Sequence, residues 1–188
     1  MPRIDRTSVG IVAITHLLPE LLHSPALPRI CGGAVAPLTL LAAAVVELRG
    51  GEGQYTWVDV APAQPPQRLV LSPWYLTNGA ELDLYLDLLH ELTHLRQLLF
   101  QNRDLWDLRF AYEERPTEVE GFAVAVEEGR RHGWGDVEVL RHLQNPWTSV
   151  EGAALLLHNV DAFLRNGALP HGAEPLLSLE QRAVIRVW

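Results

Sequence analysis

Two histidines and a glutamate lie within five residues of each other: His90, Glu91 and His94, in the segment LLHELTHLRQ. On an α-helix, residues four apart lie above one another on one face, so both imidazoles can point at a single ion. Glu91 lies about 100° around the helix from His90, near enough to reach a water molecule on that ion. The H-E-x-x-H spacing therefore predicts a divalent-metal site with a proton acceptor beside it.

Leucines surround this motif on nearly every side of the predicted helix, which indicates that the helix is buried. Buried imidazoles and carboxylates need polar partners, because an unpaired buried charge is costly. A bound metal ion would supply that partner. The leucines are Leu82, Leu84, Leu86, Leu88, Leu89, Leu92, Leu95, Leu98 and Leu99.

Two histidines leave a catalytic zinc site incomplete, because such a site has a third protein ligand and an open position. Some H-E-x-x-H enzymes use a histidine six residues after the second one, but this chain has Phe100 there. A glutamate on the following helix is the other option. Glu118 and Glu120 are the candidates, and they lie about 200° apart on a helix, so both cannot face one metal.

The segment HELTH, followed by RPTEVEGFA, resembles the gluzincin zinc metallopeptidases, particularly their small members. The resemblance covers residues 90–123. It implies a zincin-like fold, one Zn²⁺ ion, and hydrolysis of peptide bonds in a peptide or protein substrate. It also favours Glu118 as the third ligand, because a small residue, Gly121, follows three positions later. Glu120 is then the alternative ligand, or a residue that supports the ligands.

Hydrolysis at such a site would give Glu91 the role of general base and acid, taking a proton from water and delivering it to the leaving amine. A donor for the developing oxyanion is also required. Tyr112 is the first candidate, Arg115 the second and Arg109 the third. Ordinary packing is the competing interpretation for Tyr112, and a surface ion pair is the competing interpretation for Arg115.

Polar residues on either side of the motif have possible supporting roles. Asp87, three residues before His90, could orient that ring, although a solvated stripe shared with Asp83 is the preferred interpretation. Arg96 and Gln97 are predicted to face solvent or to contact the next helix.

The predicted fold is α+β, dominated by helices, with a small β-sheet before the H-E-x-x-H helix. Residues 1–31 are predicted to form short helices and a loop. The two predicted strands are expected to pair, and the second, QRLVLS, could offer an edge to an extended peptide. The predicted strands are 54–61 and 67–76, and the predicted helices are 36–48, 80–101, 116–132, 136–144, 146–165 and a C-terminal one with Ser178 as its N-cap.

The length of 188 residues predicts a single domain, 1–188, with a helix and strand part at 1–78 and a helical part at 79–188 that carries the metal site. A net charge of −8 without a basic run argues against a nucleic-acid partner. The single cysteine, Cys31, excludes an internal disulfide and a Cys-rich zinc site. No signal-peptide layout or bilayer-length apolar run is present, so a cytoplasmic protein without a membrane partner is expected.

A di-iron or di-manganese carboxylate bundle is an alternative use of the same residues, because such proteins carry Glu-x-x-His on two helices and a glutamate on two others. Prolines on both sides of the second Glu-x-x-His unit leave little helix to hold it. A metal-stabilised binding module without activity is a further alternative. The bundle set would be Glu91 and His94 in ELTH, Glu20 and His23 in ELLH, and Glu47 with Glu118.

Overall fold

Helices and a four-stranded sheet make up the protein in a computed structural model that describes residues 2–59, 66–145 and 148–167. The mixture confirms the predicted α+β class. The chain divides into two compact units, residues 1–102 and 103–188. The first unit contains all four strands and ends with the long helix that carries the histidines, and the prediction of one domain over 1–188 stays a prediction.

The sheet of the first unit has the strand order β1-β2-β4-β3. The inner pair, β2 and β4, is parallel, and each outer strand runs antiparallel to its neighbour, which confirms the predicted pairing of the two strands foreseen from sequence. Because β4 is an inner strand, the idea that QRLVLS offers an edge is wrong. The strands are β1 (Ile11–Ala13), β2 (Ala44–Leu48), β3 (Thr56–Asp59) and β4 (Gln67–Leu71).

The predicted helix over 36–48 is wrong in its second half. Helix α3 covers only Pro37–Ala42, and the chain then enters β2. Val45 and Val46 are β-branched residues that favour a pleated strand, and both of their sides are paired, with β1 and with β4. The sheet context therefore overrides the helical preference of the alanine and leucine run.

Short helices fill most of the remaining first unit, in agreement with the prediction for residues 1–31, although strand β1 was not foreseen. The predicted strand over 67–76 stops at Leu71, because Ser72 caps a helix by accepting a hydrogen bond from the backbone N–H of Tyr75 at 3.3 Å. The helices are α1 (Ile14–Leu17), a 3₁₀ helix (Pro19–His23), α2 (Ala26–Cys31) and α4 (Pro73–Asn78).

Helix α5, Glu81–Gln101, confirms the predicted long helix. It packs on α2, β3 and β4, and its residues from Leu88 to Gln97 are all buried. Asn102 follows it in the left-handed conformation, a common way to end a helix. The histidines therefore lie on an enclosed stretch of helix.

The second unit is a cluster of helices preceded by a 3₁₀ helix, Tyr112–Glu114. Its helices α6 (Pro116–Arg131) and α7 (Asp136–Leu143) match the predicted ones, and α8 (Val150–Asn166) begins later than the predicted start at 146, because Ser149 is its N-cap. Residue Pro146 and the predicted helix at Ser178 lie outside the described residues. Within the described ranges, no helix has the length and apolar character to cross a bilayer. The core consists of Val119, Phe122, Ala123, Val126, Val139, Leu143, Ala153, Leu156 and Val160.

Candidate metal centre

His90 and His94 lie one turn apart on α5, as the helical spacing requires. Their ring centroids are 4.4 Å apart and the ring planes are perpendicular. Glu118 belongs to the first turn of α6, and all three side chains are buried, each residue being 6% exposed. Each residue offers one ligand atom, and these three atoms all lie within 4.8 Å of one another. In the part of the chain that the structure describes, this is the group with the composition and spacing of a metal site.

The donor atoms of this group fit one divalent cation. Two imidazole nitrogens and one carboxylate oxygen form the ligand set of catalytic zinc sites, in which the fourth position stays open. The burial of three proton-active groups has a cost that a cation at their centre would offset. Imidazole and carboxylate ligands also accept other divalent ions, so the donor set by itself selects a class of metals.

The second ring nitrogen of His94 has a partner inside its own helix. Nδ1 of His94 lies 2.9 Å from Oε1 of Gln97, and an amide oxygen only accepts hydrogen bonds. Nδ1 therefore carries the proton, and Nε2 is the nitrogen available to an ion. Gln97 is fully buried and Arg96 is nearly so, which makes the prediction that they face solvent wrong. Helix α5 is enclosed along this stretch, so even its polar positions point into protein.

Asp87 accepts a hydrogen bond from the hydroxyl of Tyr75 and is half-buried. Burial, followed by the charge of Asp87, raises the pKa of the Tyr75 phenol far above its ordinary value, so the phenol stays protonated and acts as the donor. The preferred interpretation of Asp87 as part of a solvated stripe is therefore wrong. Its proposed role in orienting His90 stays a prediction.

The two candidate glutamates of α6 have different surroundings. Glu120 accepts a hydrogen bond at 2.7 Å from Nη1 of Arg103, in a partly buried ion pair. Glu118 has its Oε1 atom 3.5 Å from Nη1 of Arg115 and is the one that joins the metal-capable group. The angular separation of the two positions on one helix accounts for this difference.

Glu91, the expected general base, is buried on α5 between the two histidines in sequence, and only 7% of its surface is exposed. The burial of a carboxylate at that position is unusual for a residue with no chemical or structural task. Its catalytic role stays a prediction.

The three candidate oxyanion donors all belong to the second unit. The hydroxyl of Tyr112 accepts a 3.3 Å hydrogen bond from the amide of Asn145, and its ring packs edge-on against Phe122. The guanidinium of Arg115 lies 5.8 Å from the centre of the Tyr112 ring. Arg109 is held by hydrogen bonds to Asp107, which raise the pKa of its guanidinium. These contacts do not show that any of the three residues donates to an oxyanion, so the three roles stay predictions.

The residues of the di-metal alternative are not brought together. Glu20 and His23 are exposed on a 3₁₀ helix that begins at Pro19, and that helix is too short to present an inward-facing pair. Glu47 lies on β2 and accepts a 2.9 Å hydrogen bond from Arg68. The metal-capable group of the described residues includes none of these three.

Comparisons of this chain with models of protein families, with curated proteins and with solved structures give no match. The resemblance to gluzincins therefore depends on residues 90–123 alone, and a function has to be argued from the site itself.

Proposed function

We propose that the protein is a zinc-dependent metallopeptidase of gluzincin type with a zincin-like fold. One observation carries the proposal: ligand atoms of His90, His94 and Glu118 lie within 4.8 Å of one another, around an H-E-x-x-H helix. Both imidazoles come from one helix, while the carboxylate comes from a position 24 residues after His94. A chance H-E-x-x-H pattern has no reason to be accompanied by a buried third ligand.

Zinc, when bound, would polarise the scissile carbonyl and lower the pKa of a coordinated water molecule toward neutrality. Glu91 takes a proton from the attacking water and transfers it to the nitrogen of the leaving amine as the C–N bond breaks. One water is consumed, and a carboxylic acid and an amine are released. Gln97 holds His94 in the tautomer that leaves Nε2 unprotonated. Tyr112 or Arg115 donates to the carbonyl oxygen as its charge grows.

The proposed substrate is a peptide or a protein, and the proposed location is the cytoplasm. The lone cysteine, Cys31, is buried and unpaired, which fits a reducing compartment. The net charge of −8 disfavours substrates that carry phosphate backbones.

Metal content and turnover, measured on the same protein samples, test the proposal. Mass spectrometry of the purified wild type should find about one zinc per chain, and His94→Ala should lose it because two remaining ligands bind zinc weakly. His158→Ala is the matched control, since His158 is exposed on α8. Glu91→Gln should keep the zinc and lose peptide turnover by about 10²–10⁴-fold, the usual contribution of a general base.

Two results would contradict the proposal. A well-folded wild type that neither retains nor takes up zinc removes the metal centre. A zinc-loaded wild type that cleaves nothing in a broad peptide library leaves a metal-stabilised binding module as the function.

A further inference from the structure

A cavity of about 280 Å³ lies within the second unit, in the segment that leads into α6. Its wall includes three arginines, two aspartates and an aromatic ring: Arg103, Arg109, Arg115, Asp104, Asp107 and Phe110. Pockets that enclose drug-sized ligands usually measure about 300–1,000 Å³. A cavity just below that range is suited to a single amino-acid residue or one side chain.

Two of the three arginines have carboxylate partners at hydrogen-bond distances below 3 Å. Arg103 donates to Glu120 at 2.7 Å, and Arg109 donates through Nε to both oxygens of Asp107 at 2.8 Å. Asp104, the other acidic residue of the wall, accepts a hydrogen bond from the backbone N–H of Trp106. Arg103 and Arg109 are therefore each held by a carboxylate, and Arg115 is the arginine of the wall with donor capacity left for a ligand.

Arg115 differs from the other two arginines, because its ion pair with Glu118 is longer and its Nε–H is not used in it. It is 7% exposed, and its Nε–H is out of contact with solvent and has no acceptor in the described part of the chain. Its Nη1 lies 3.5 Å from Oε1 of Glu118, which is also a member of the metal-capable group. A buried donor of a charged group left without an acceptor is unfavourable, because it has lost its contact with water and gained no other. An incoming acceptor would remove that cost.

A guanidinium presents parallel N–H groups that match the two oxygens of a carboxylate. With one edge of Arg115 directed at Glu118, the edge that contains Nε is the one left for a ligand. Phe110 and Pro116 provide apolar contact for the carbon atoms that carry the ligand's carboxylate.

We propose that this cavity binds a carboxylate of the ligand, with Arg115 as the donor. The assignment of that ligand as the peptide substrate rests on the proposed peptidase function, whereas the carboxylate site itself does not. A free C-terminal carboxylate and an acidic side chain share this chemistry. In the first case the protein selects peptide ends, and in the second it selects acidic residues within a chain.

Calorimetric titration of the metal-free protein tests the site independently of turnover. The probes are N-acetyl-Ala-Phe with a free carboxylate, the same compound as a C-terminal amide, and N-acetyl-Glu-amide. We expect the first or third probe to bind and the fully amidated Ala-Phe probe to bind at least tenfold more weakly. Binding of the first probe assigns the site to peptide ends, and binding of the third probe assigns it to acidic side chains.

Arg115→Lys should lower the affinity for the probe that binds by at least tenfold, because an ammonium keeps the charge and loses the paired N–H groups. Arg165→Lys is the control, being the same change at an exposed position in the last turn of α8. The wild type alone gives a second measurement, since the bound carboxylate should shift the NMR signal of the Arg115 Nε–H.

The carboxylate site is overturned if neither carboxylate-containing probe binds more tightly than the Ala-Phe amide. It is also overturned if the Nε–H signal of Arg115 does not move at a saturating concentration of the probe. Binding that depends on Arg115 in a protein that takes up no zinc would overturn the peptidase proposal and leave the carboxylate site standing. The two proposals therefore fail separately.

Discussion

At the scale of single residues, the side chain of Gln97 determines which nitrogen of His94 is available. The amide oxygen accepts from Nδ1 at 2.9 Å, so the lone pair lies on Nε2. Both residues are buried on the same helix, one turn apart, and solvent cannot replace this contact. Such a contact fixes both the tautomer and the ring orientation of a metal-binding histidine.

Replacement of Gln97 by leucine removes this acceptor while roughly keeping the side-chain volume. We expect zinc affinity to fall about 10–100-fold, the usual effect of losing a partner of a ligating histidine. A competition titration with a zinc-binding dye measures the affinity. Gln97→Glu should stay near the wild-type value because its carboxylate accepts the same hydrogen bond.

Gln101→Leu is the control for this series, because Gln101 ends the same helix and is exposed. Unchanged zinc affinity in Gln97→Leu would show that the contact with His94 is a packing feature only.

The buried phenol of Tyr75 links stability to alkaline pH. Its pKa is raised from the ordinary value of 10.0, first by burial and then by the charge of Asp87. Above pH 10 the unfolded phenol loses its proton while the folded one keeps it, so the folded state binds more protons and stability falls as pH rises. The contribution is complete below pH 10 and declines by about 1.4 kcal/mol per pH unit above it.

Urea unfolding between pH 8 and pH 11 measures this dependence. The free energy of unfolding of Tyr75→Phe should be lower at pH 8, by about 1–3 kcal/mol, because Asp87 loses a donor. Its slope above pH 10 should be shallower than that of the wild type. Parallel profiles for the two proteins would mean that the raised pKa of Tyr75 does not contribute to stability.

The pairing of His90 with His94 could be predicted because it depends on a local rule, whereas the choice of Glu118 came from the resemblance to gluzincins. The i, i+4 spacing places His90 beside His94 on any helix, and the 200° separation requires a choice between two glutamates. The partners of these residues could not be predicted in the same way. Gln97 was expected to face solvent or to contact the next helix, and its full burial depends on what packs around α5.

At the scale of elements, the sheet shows where local sequence is insufficient. The run from Ala36 to Leu48 has the composition of a helix, and only its first half is one. Strand β2 exists because β1 and β4 pair with both of its sides, and pairing partners distant in the chain cannot be read from a short window. Helix α5, by contrast, was predictable since 21 residues of helix-favouring sequence leave little choice.

The N-cap serines of α4 and α8 differ in burial, so the stability that each contributes can be compared. Ser72 begins α4, is fully buried, and also donates to the carbonyl of Gly51 at 3.1 Å. Ser149 begins α8 and accepts from the backbone N–H of Gly152 at 3.0 Å. We expect Ser149→Ala to lower the free energy of unfolding by about 1 kcal/mol. Ser72→Ala should cost about 1 kcal/mol more, because it also removes the hydrogen bond from the Ser72 hydroxyl to the carbonyl of Gly51.

Chemical denaturation followed by circular dichroism measures both variants, and Thr7→Ala in the exposed N-terminal turn supplies a reference for a surface hydroxyl. An equal loss in the two serine variants would mean that the Ser72 contact with Gly51 adds nothing beyond the cap.

At the scale of the whole molecule, each unit has its own buried core. The first is built on the sheet and α5, and the second on α6, α7 and α8. A metal bound by the folded protein and not by the unfolded chain stabilises the fold by mass action. At a free zinc concentration of 100 times Kd, this stabilisation amounts to about 2.7 kcal/mol.

The melting temperature should therefore rise by about 5–10 °C when zinc is added to the metal-free wild type, given the usual relation between free energy and Tm at this chain length. Differential scanning calorimetry with and without zinc measures the shift. His94→Ala should show none, because the group then loses one of its three ligands. His23→Ala should show the full shift, since that histidine is exposed and outside the group. A shift that persists in His94→Ala places the zinc elsewhere, and a shift lost in His23→Ala favours the di-metal set over the single-zinc site.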